Sequence, residues 1–295
     1  MNNFKKKILY LIISSRPQHS IKNVLIFLPI LASNNLYNIH LLDTFFAFLF
    51  LNLITSGSYI LNDIIDLKHD SLHLTKKFRP IASKKLSIIE ALIFSFVLIF
   101  ISITFAIYLF SYSVVIYFII YILITLIYSL YLKKIIILDL FVLSFLFVIR
   151  IYLGNLVSRL EESFWLLTFC FIFFLMLAAV KRISELTIDS KTSGRGYKIY
   201  HTHYLKTLSY VLAAITLLIW IFYSFSYSAN ILYNSNELLI LVGFIIFYWS
   251  LRIIKLSLNK QVGYDPVVFV LKDKTSYIFL LFMFIIIIFS KILGV

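Results

Sequence analysis

The chain is 295 residues long, 62% hydrophobic and only 14% charged, with 27 Lys and Arg against 13 Asp and Glu and a net charge of +14. A soluble fold of that length has no use for so much apolar surface, and runs such as YFIIYILITLIYSLYL (117–132) lack the polar–apolar alternation of a membrane barrel strand. Only helices and closed barrels satisfy their backbone in lipid, so the expectation is all-α: a polytopic membrane bundle.

Nine apolar windows follow one another along the chain and are predicted to cross the membrane, each drawing on the roughly 20 residues that a span needs. The N-terminal segment MNNFKKKILYLIISSRPQHS is basic, and its apolar run is too short to read as a cleavable signal. The first window, about 23–34, is short and broken by Pro29, which makes it partly interfacial. Windows at about 41–61, 87–110, 113–132 and 135–157 come next, then 164–180, 204–225, 237–254 and 275–293. Cys170, the single cysteine, lies inside the sixth window, so no disulfide forms within the chain.

Placing the gaps between windows on alternate sides sorts the charge. Of the 27 Lys and Arg, Arg159 and Lys291 fall on one side, Arg150 falls inside the fifth window, and all the others share the opposite side. This asymmetry predicts a cytoplasmic N-terminus, an odd number of spans and an external C-terminus. It also accounts for the basic balance without a nucleic-acid partner. Carboxylates barely follow that rule, yet nine of the 13 share the basic face: Asp63, Asp66, Asp70, Glu90, Asp139, Glu185, Asp189, Asp265 and Asp273. Both signs gathered on one face point to an ion-handling site there. A transporter would place its charges near the bilayer midplane instead.

The second window runs into NDIIDLKHDSLHLTKKFRPIAS (62–83). If the helix continues, Asp63, Asp66 and Asp70 fall at about 0°, 300° and 340°, within an arc of roughly 60°. Three carboxylates on one stripe repel each other unless a cation lies between them. A few hard oxygen ligands, with room for water and phosphate, suit Mg²⁺ bridging to a diphosphate. Asn62 adds a neutral oxygen. The bland alternative is a solvated helix end that marks the membrane boundary. Lys76, Lys77 and Arg79 follow at once, before Pro80 stops any helix. They would give phosphate oxygens direct partners, although on their own they would be an ordinary basic loop.

Further along, Asp139 stands at the inner end of the fifth window, either as a site residue or as a partner for Lys133 or Lys134. Arg150, deeper in the same window, is costly in lipid and is therefore a structural or substrate-binding candidate. After the sixth window, VKRISELTIDSKTSGRGYKIYHTHY (180–204) offers Lys181, Arg182 and Glu185, with Asp189 beyond. A Lys–Arg pair at a helix end makes a good phosphate clamp. Glu185 and Asp189, four residues apart on one helical face, could instead hold a second metal ion. His201 and His203 diverge on a helix and do not make a zinc site.

Together these pieces resemble the UbiA prenyltransferase superfamily. NDIIDLKHD looks like its first aspartate motif, and TKKFRPIA most resembles the branch of decaprenyl-phosphate phosphoribosyltransferases. SRPQHSIKNVLIFLPILAS (15–33) is similar to that branch's opening RPxQWxKN segment, with Ser20 where tryptophan is usual. LDLFVLSFLFVIRIYLG (138–154) looks like its fifth span, and KRISEL (181–186) like its second motif GKRYAEL, with Ile183–Ser184 in place of Tyr–Ala. GYDPVVFVLKDK (263–274) is similar to a weaker PEDxxLxDR pattern.

The resemblance runs in order along almost the whole chain and implies a single membrane domain over 1–295. It implies Mg²⁺-dependent transfer of a phosphoribosyl group from phosphoribosyl pyrophosphate to a polyprenyl phosphate, at the cytoplasmic face of the cell (inner) membrane, with pyrophosphate released. Asp63, Asp66 and Asp70 would be the catalytic metal ligands. Lys22, Asn62, Lys76, Lys77, Arg79, Lys181, Arg182 and Glu185 would bind substrate, with Asp139, Arg150 and Asp189 as further candidates. The alternative is a prenyltransferase of the same superfamily, which moves a prenyl group from its diphosphate to an aromatic or other acceptor and needs a second carboxylate metal site.

Overall fold

The computed structural model describes residues 3–33, 39–188 and 195–292. Its contacts separate into two compact units, Met1–Glu162 with Lys191–Gly196, and Ser163–Ser190 with Tyr197–Val295. Every regular element among the described residues is helical. Among the described residues eight helices are long and apolar enough to cross a membrane.

The first unit opens with α1 (Asn3–Ser15), a 3-10 stretch (Pro17–Phe27) and a five-residue helix α2 (Leu28–Ala32). The spanning helix α3 (Leu41–Ile65) runs almost directly into the short α4 (Leu67–Leu72), and α5 (Ile88–Leu109), α6 (Tyr112–Leu130) and α7 (Leu138–Ser158) complete the unit. The predicted window at 23–34 does not form one long α-helix: it is divided between the 3-10 stretch and α2. Pro17 and Pro29 each lack an N–H for a helix to use, and the stretch between them winds tightly with Lys22, Asn23 and Ile26 buried. It lies against α7. A Cβ on Gly154 would stand 2.1 Å from the Ile26 carbonyl oxygen, so this approach requires a residue with no side chain.

Apolar side chains gain little by leaving lipid for protein, so helices in a membrane associate through close packing and hydrogen bonds between them. The contact of α3 with α5 uses both. Gly57 of α3 lets Ile99 approach to within 2.8 Å of where a Cβ would sit. Ser95 donates its hydroxyl to the Gly57 carbonyl at 2.9 Å, and Ser102 donates to the Phe50 carbonyl at 3.0 Å. Ile26, Leu51, Ile54, Phe118, Ile149 and Leu153 fill the space where α3, α6, α7 and the N-terminal stretch meet. Helix α5 begins at a capping box in which Ser87 and Glu90 each accept from the other's backbone N–H.

The second unit contains α8 (Phe164–Ile188), α9 (His201–Ser224), α10 (Tyr227–Leu232), α11 (Asn236–Leu258), α12 (Pro266–Val270) and α13 (Lys274–Ile292). Helix α8 runs two turns past the apolar window that ended at 180. Those added turns are buried because Ser257 of α11 donates to the Val180 carbonyl at 3.1 Å and meets the Ser184 hydroxyl at 2.8 Å. Gly243 lets Trp220 close on α11, and Trp220 donates its indole N–H to the Leu239 carbonyl at 2.7 Å. Arg252 grips both oxygens of Asp273 at 2.6 and 2.9 Å. That guanidinium holds the Asp273 carboxyl down at about 2, with help from Ser276 at the start of α13.

Candidate active site

The three aspartates of the first charged stretch occupy the end of α3 and the start of α4. Asp63 sits in the last turn of α3, Asp66 at the junction, and Asp70 within α4. Asp63 and Asp70 are each only 3% exposed, and a buried carboxylate requires a partner. Arg79 supplies it for both: its Nη1 donates to Asp63 Oδ1 at 3.0 Å and also to Asp70 Oδ2. Arg16 donates to the same oxygen of Asp63 and lies over the Tyr59 ring, 5.3 Å from its centroid. Pro17 disfavours a helical conformation in the residue before it, so α1 stops at Ser15 and Arg16 takes a left-handed backbone with φ 52°.

Asp66 turns to a different cation. Lys133, from the turn between α6 and α7, pairs with Asp66 Oδ1, and Asn62 donates to Oδ2 at 3.2 Å. Burial pushes the Lys133 ammonium below the usual lysine value, while Asp66 pulls it back up. Three carboxylates thus meet three cations, Arg16, Arg79 and Lys133. Among the described residues no three His, Cys, Asp or Glu side chains converge as ligands for a metal ion. Two do share one cationic atom, because Arg79 Nη1 bridges Asp63 and Asp70. That donor set fits Mg²⁺, which keeps several waters and takes one or two carboxylates plus phosphate oxygens.

The remaining candidates of this stretch divide by exposure. Lys77 is exposed and lies over the Phe78 ring at 5.2 Å, and Lys76 is half-buried beside it. Lys22 is buried in the N-terminal stretch. Arg150 is 4% exposed and holds that stretch in place: Nε donates to Asn23 Oδ1 at 2.9 Å, while its other nitrogens reach the Leu146 carbonyl and the Tyr121 hydroxyl. Asn23 in turn donates to Asn52 at 2.7 Å and Thr55 at 2.9 Å on α3. The charge that is costly in lipid thus ties three elements together through neutral acceptors.

Asp139 is fully buried and accepts from the Tyr128 hydroxyl at 2.9 Å and from Arg195 at 3.1 Å; Lys133, one of its two expected partners, serves Asp66 instead. Gly196 follows Arg195, and a Cβ there would stand 2.3 Å from the Lys134 carbonyl oxygen. Arg195→Ala leaves a buried carboxylate short of its cation and costs about 3–5 kcal/mol. A thermal melt of the detergent-purified protein checks this, and Arg195→Lys recovers part of the loss.

In the second unit Arg182 is 1% exposed and pairs with Glu185 one turn on. Lys181 Nζ stands 3.6 Å from Asp265, whose Oδ1 caps α12 through the Val267 and Val268 N–H groups. Asp189 lies outside the described residues. Sequence reasoning gave Arg16, Lys133 and Arg195 no place in the site, offering Lys133 only as a partner for Asp139, and passed over Tyr128 and Tyr59. For Arg16 there was a usable signal, an arginine directly before a proline that opens a matched motif. Lys133 and Arg195 carry none, because the partner each meets is remote in sequence.

Eight apolar helices, with no strand among the described residues, define a multi-pass helical membrane protein. The model of the UbiA prenyltransferase family matches residues 24–263, and the chain belongs to that family of transferases. It is 33% identical over 265 residues to the uncharacterized protein y4nM of Sinorhizobium fredii, covering 87% of this chain and 51% of that one. To the nodulation protein NoeC of Azorhizobium caulinodans it is 32% identical over 192 residues, 62% of this chain and 61% of that one. The chain therefore spans between half and two thirds of the length of these two relatives. It is also 27% identical over 226 residues to the decaprenyl-phosphate phosphoribosyltransferase of Mycobacterium tuberculosis, with 73% and 74% covered. Its fold matches a UbiA homolog from Archaeoglobus fulgidus bound to DMAPP and Mg²⁺, with a TM-score of 0.70 at 16% identity over 95% of this chain and 99% of that one.

Proposed function

We propose that the chain transfers a phosphoribosyl group from phosphoribosyl pyrophosphate to a polyprenyl phosphate, at the cytoplasmic face of the cell (inner) membrane, and releases pyrophosphate. The observation that carries this reading is the pair of buried carboxylates, Asp63 and Asp70, bridged by Arg79 beside Arg16. A diphosphate needs both a place for its metal ion and cations of its own. The chain's similarity to the decaprenyl-phosphate phosphoribosyltransferases points to the sugar donor, and the one-sided spread of lysines and arginines points to the cytoplasmic face. Since the family match runs from 24 to 263, residues 1–295 are taken as one functional domain.

Under this reading Asp63 and Asp70 would hold Mg²⁺, with Asp66 as the third carboxylate of the motif. A bound Mg²⁺ supplies charge neutralisation of pyrophosphate as the leaving group. Arg16, Arg79 and Lys77 bind phosphate oxygens and orient the donor. In the second unit Lys181 and Arg182 are phosphate cations of the same reading. The bond from the ribose C1 to the pyrophosphate oxygen breaks, and a bond from C1 to a lipid phosphate oxygen forms. A phosphate monoester is already ionised at neutral pH, so no general base is required, and catalysis is mostly positioning and electrostatics.

The prenyl-diphosphate alternative needs Glu185 as a ligand of a second metal ion. Glu185 is paired with the buried Arg182. Release of inorganic pyrophosphate separates the two. It should require phosphoribosyl pyrophosphate, polyprenyl phosphate and Mg²⁺ together. Release from a prenyl diphosphate and an aromatic acid, with none from the sugar donor, would favour the alternative.

A further inference from the structure

Arg16 and Arg79 face a conflict that the metal-binding reading does not resolve. Both guanidiniums are largely buried, at 16% and 24% side-chain exposure, and both are committed to the carboxylates that a metal ion would need. Arg79 Nη1 stands between Asp63 and Asp70, where a bridging cation would go. A divalent ion entering alone would have to displace that guanidinium. It would leave two arginines without acceptors in poorly hydrated surroundings, which costs more than the metal contacts return. A diphosphate arriving with the ion removes the conflict, because its oxygens accept from both guanidiniums in the bidentate manner that arginine favours.

We propose that Arg16 and Arg79 are exchanging cations. Without substrate they hold the place of the metal ion on Asp63 and Asp70. When a diphosphate binds, they pass to its oxygens and release the carboxylates to the ion, so that metal and diphosphate enter together. This rests on the reading of the site as a metal–diphosphate centre. Arg16 is suited to the exchange by its position. It stands between α1 and the 3-10 stretch, and its side chain lies over the Tyr59 ring, which gives a guanidinium a surface to move along without becoming fully solvated. Lys133 is left out of the exchange, because the carboxylate it pairs with is Asp66.

The test uses the full chain in detergent, Mn²⁺ as the metal probe and inorganic pyrophosphate as the diphosphate, with bound Mn²⁺ counted after equilibrium dialysis at matched free Mn²⁺. The wild type should bind Mn²⁺ weakly alone and at least about tenfold more tightly with pyrophosphate, the scale on which removing one competing charge acts at a partly buried site. Arg79→Gln should tighten binding of Mn²⁺ alone and lose most of the gain from pyrophosphate. Arg16→Gln should shift both in the same direction by less, and it carries the test if the Arg79 variant does not elute as a folded species. Equal Mn²⁺ affinity with and without pyrophosphate in the wild type overturns the exchange and leaves the metal site standing. So does unchanged binding of Mn²⁺ alone in the folded variants. No Mn²⁺ bound under either condition overturns the metal–diphosphate reading, and the exchange with it.

Discussion

Replacing Asp63 by Asn lowers transfer by at least about a hundredfold, the order of loss seen when one preorganised electrostatic contact is removed from a reacting centre. The substitution keeps shape and removes the charge that Arg16 and Arg79 both address. Two guanidiniums then compete for Asp70 and for neutral oxygens, and a buried ion pair broken from one side costs about 3–5 kcal/mol. Stability and activity therefore fall together at Asp63. Asp66 is more exposed, but Asp66→Asn leaves the buried Lys133 ammonium without its carboxylate, so this variant too should lose both stability and activity, with the smaller loss of stability. The check is a melting curve beside a turnover measurement for each variant.

Gly154→Ala is expected to unseat the N-terminal stretch. A single methyl group there would stand 2.1 Å from the Ile26 carbonyl oxygen and 3.1 Å from Pro29 Cδ, so backbone rather than a flexible side chain has to move. Overpacking of that kind costs about 1–3 kcal/mol. The consequence reaches the site because the same stretch carries Asn23, the partner of Arg150, and begins directly after Arg16. A residue far from the chemistry should thus reduce both melting temperature and transfer, and the lost activity should follow the displacement of Arg16 away from Asp63. Gly263, with φ +73° and open space around it, is the contrasting case. Substitution there strains only the backbone locally.

The membrane class, the helical fold and the aspartate stretch were legible in the sequence because each rests on local pattern. Long apolar runs state their own helices, and Asp63 and Asp70 fall on one side of a nearly continuous α3–α4 segment, as helical spacing predicts. The window at 23–34 was legible from its apolar composition, but its winding as a 3-10 stretch with Asn23 buried was not. Hydropathy gives no sign of the 3-10 winding there, nor of the close approach to Gly154. The end of α8 was read too short because Arg182 and Ser184 look like loop residues until Ser257 and Glu185 are seen to satisfy them. Arg16, Lys133 and Arg195 were out of reach for a related reason. Each acquires its role only from a partner brought near by folding, and one-dimensional spacing holds no record of that. Asp139 shows the same limit from the other side: its neighbours in sequence, Lys133 and Lys134, looked like natural partners, whereas Arg195, remote in sequence, also pairs with it.

The most direct measurement is mass spectrometry of the lipid extract after the purified protein has been incubated with phosphoribosyl pyrophosphate, a polyprenyl phosphate and Mg²⁺. A polyprenyl phosphate made heavier by one phosphoribosyl group should appear with the wild type and disappear with Asp63→Asn or with EDTA. No new lipid from folded wild-type protein, together with a prenylated acceptor when a prenyl diphosphate is the donor, would contradict the account.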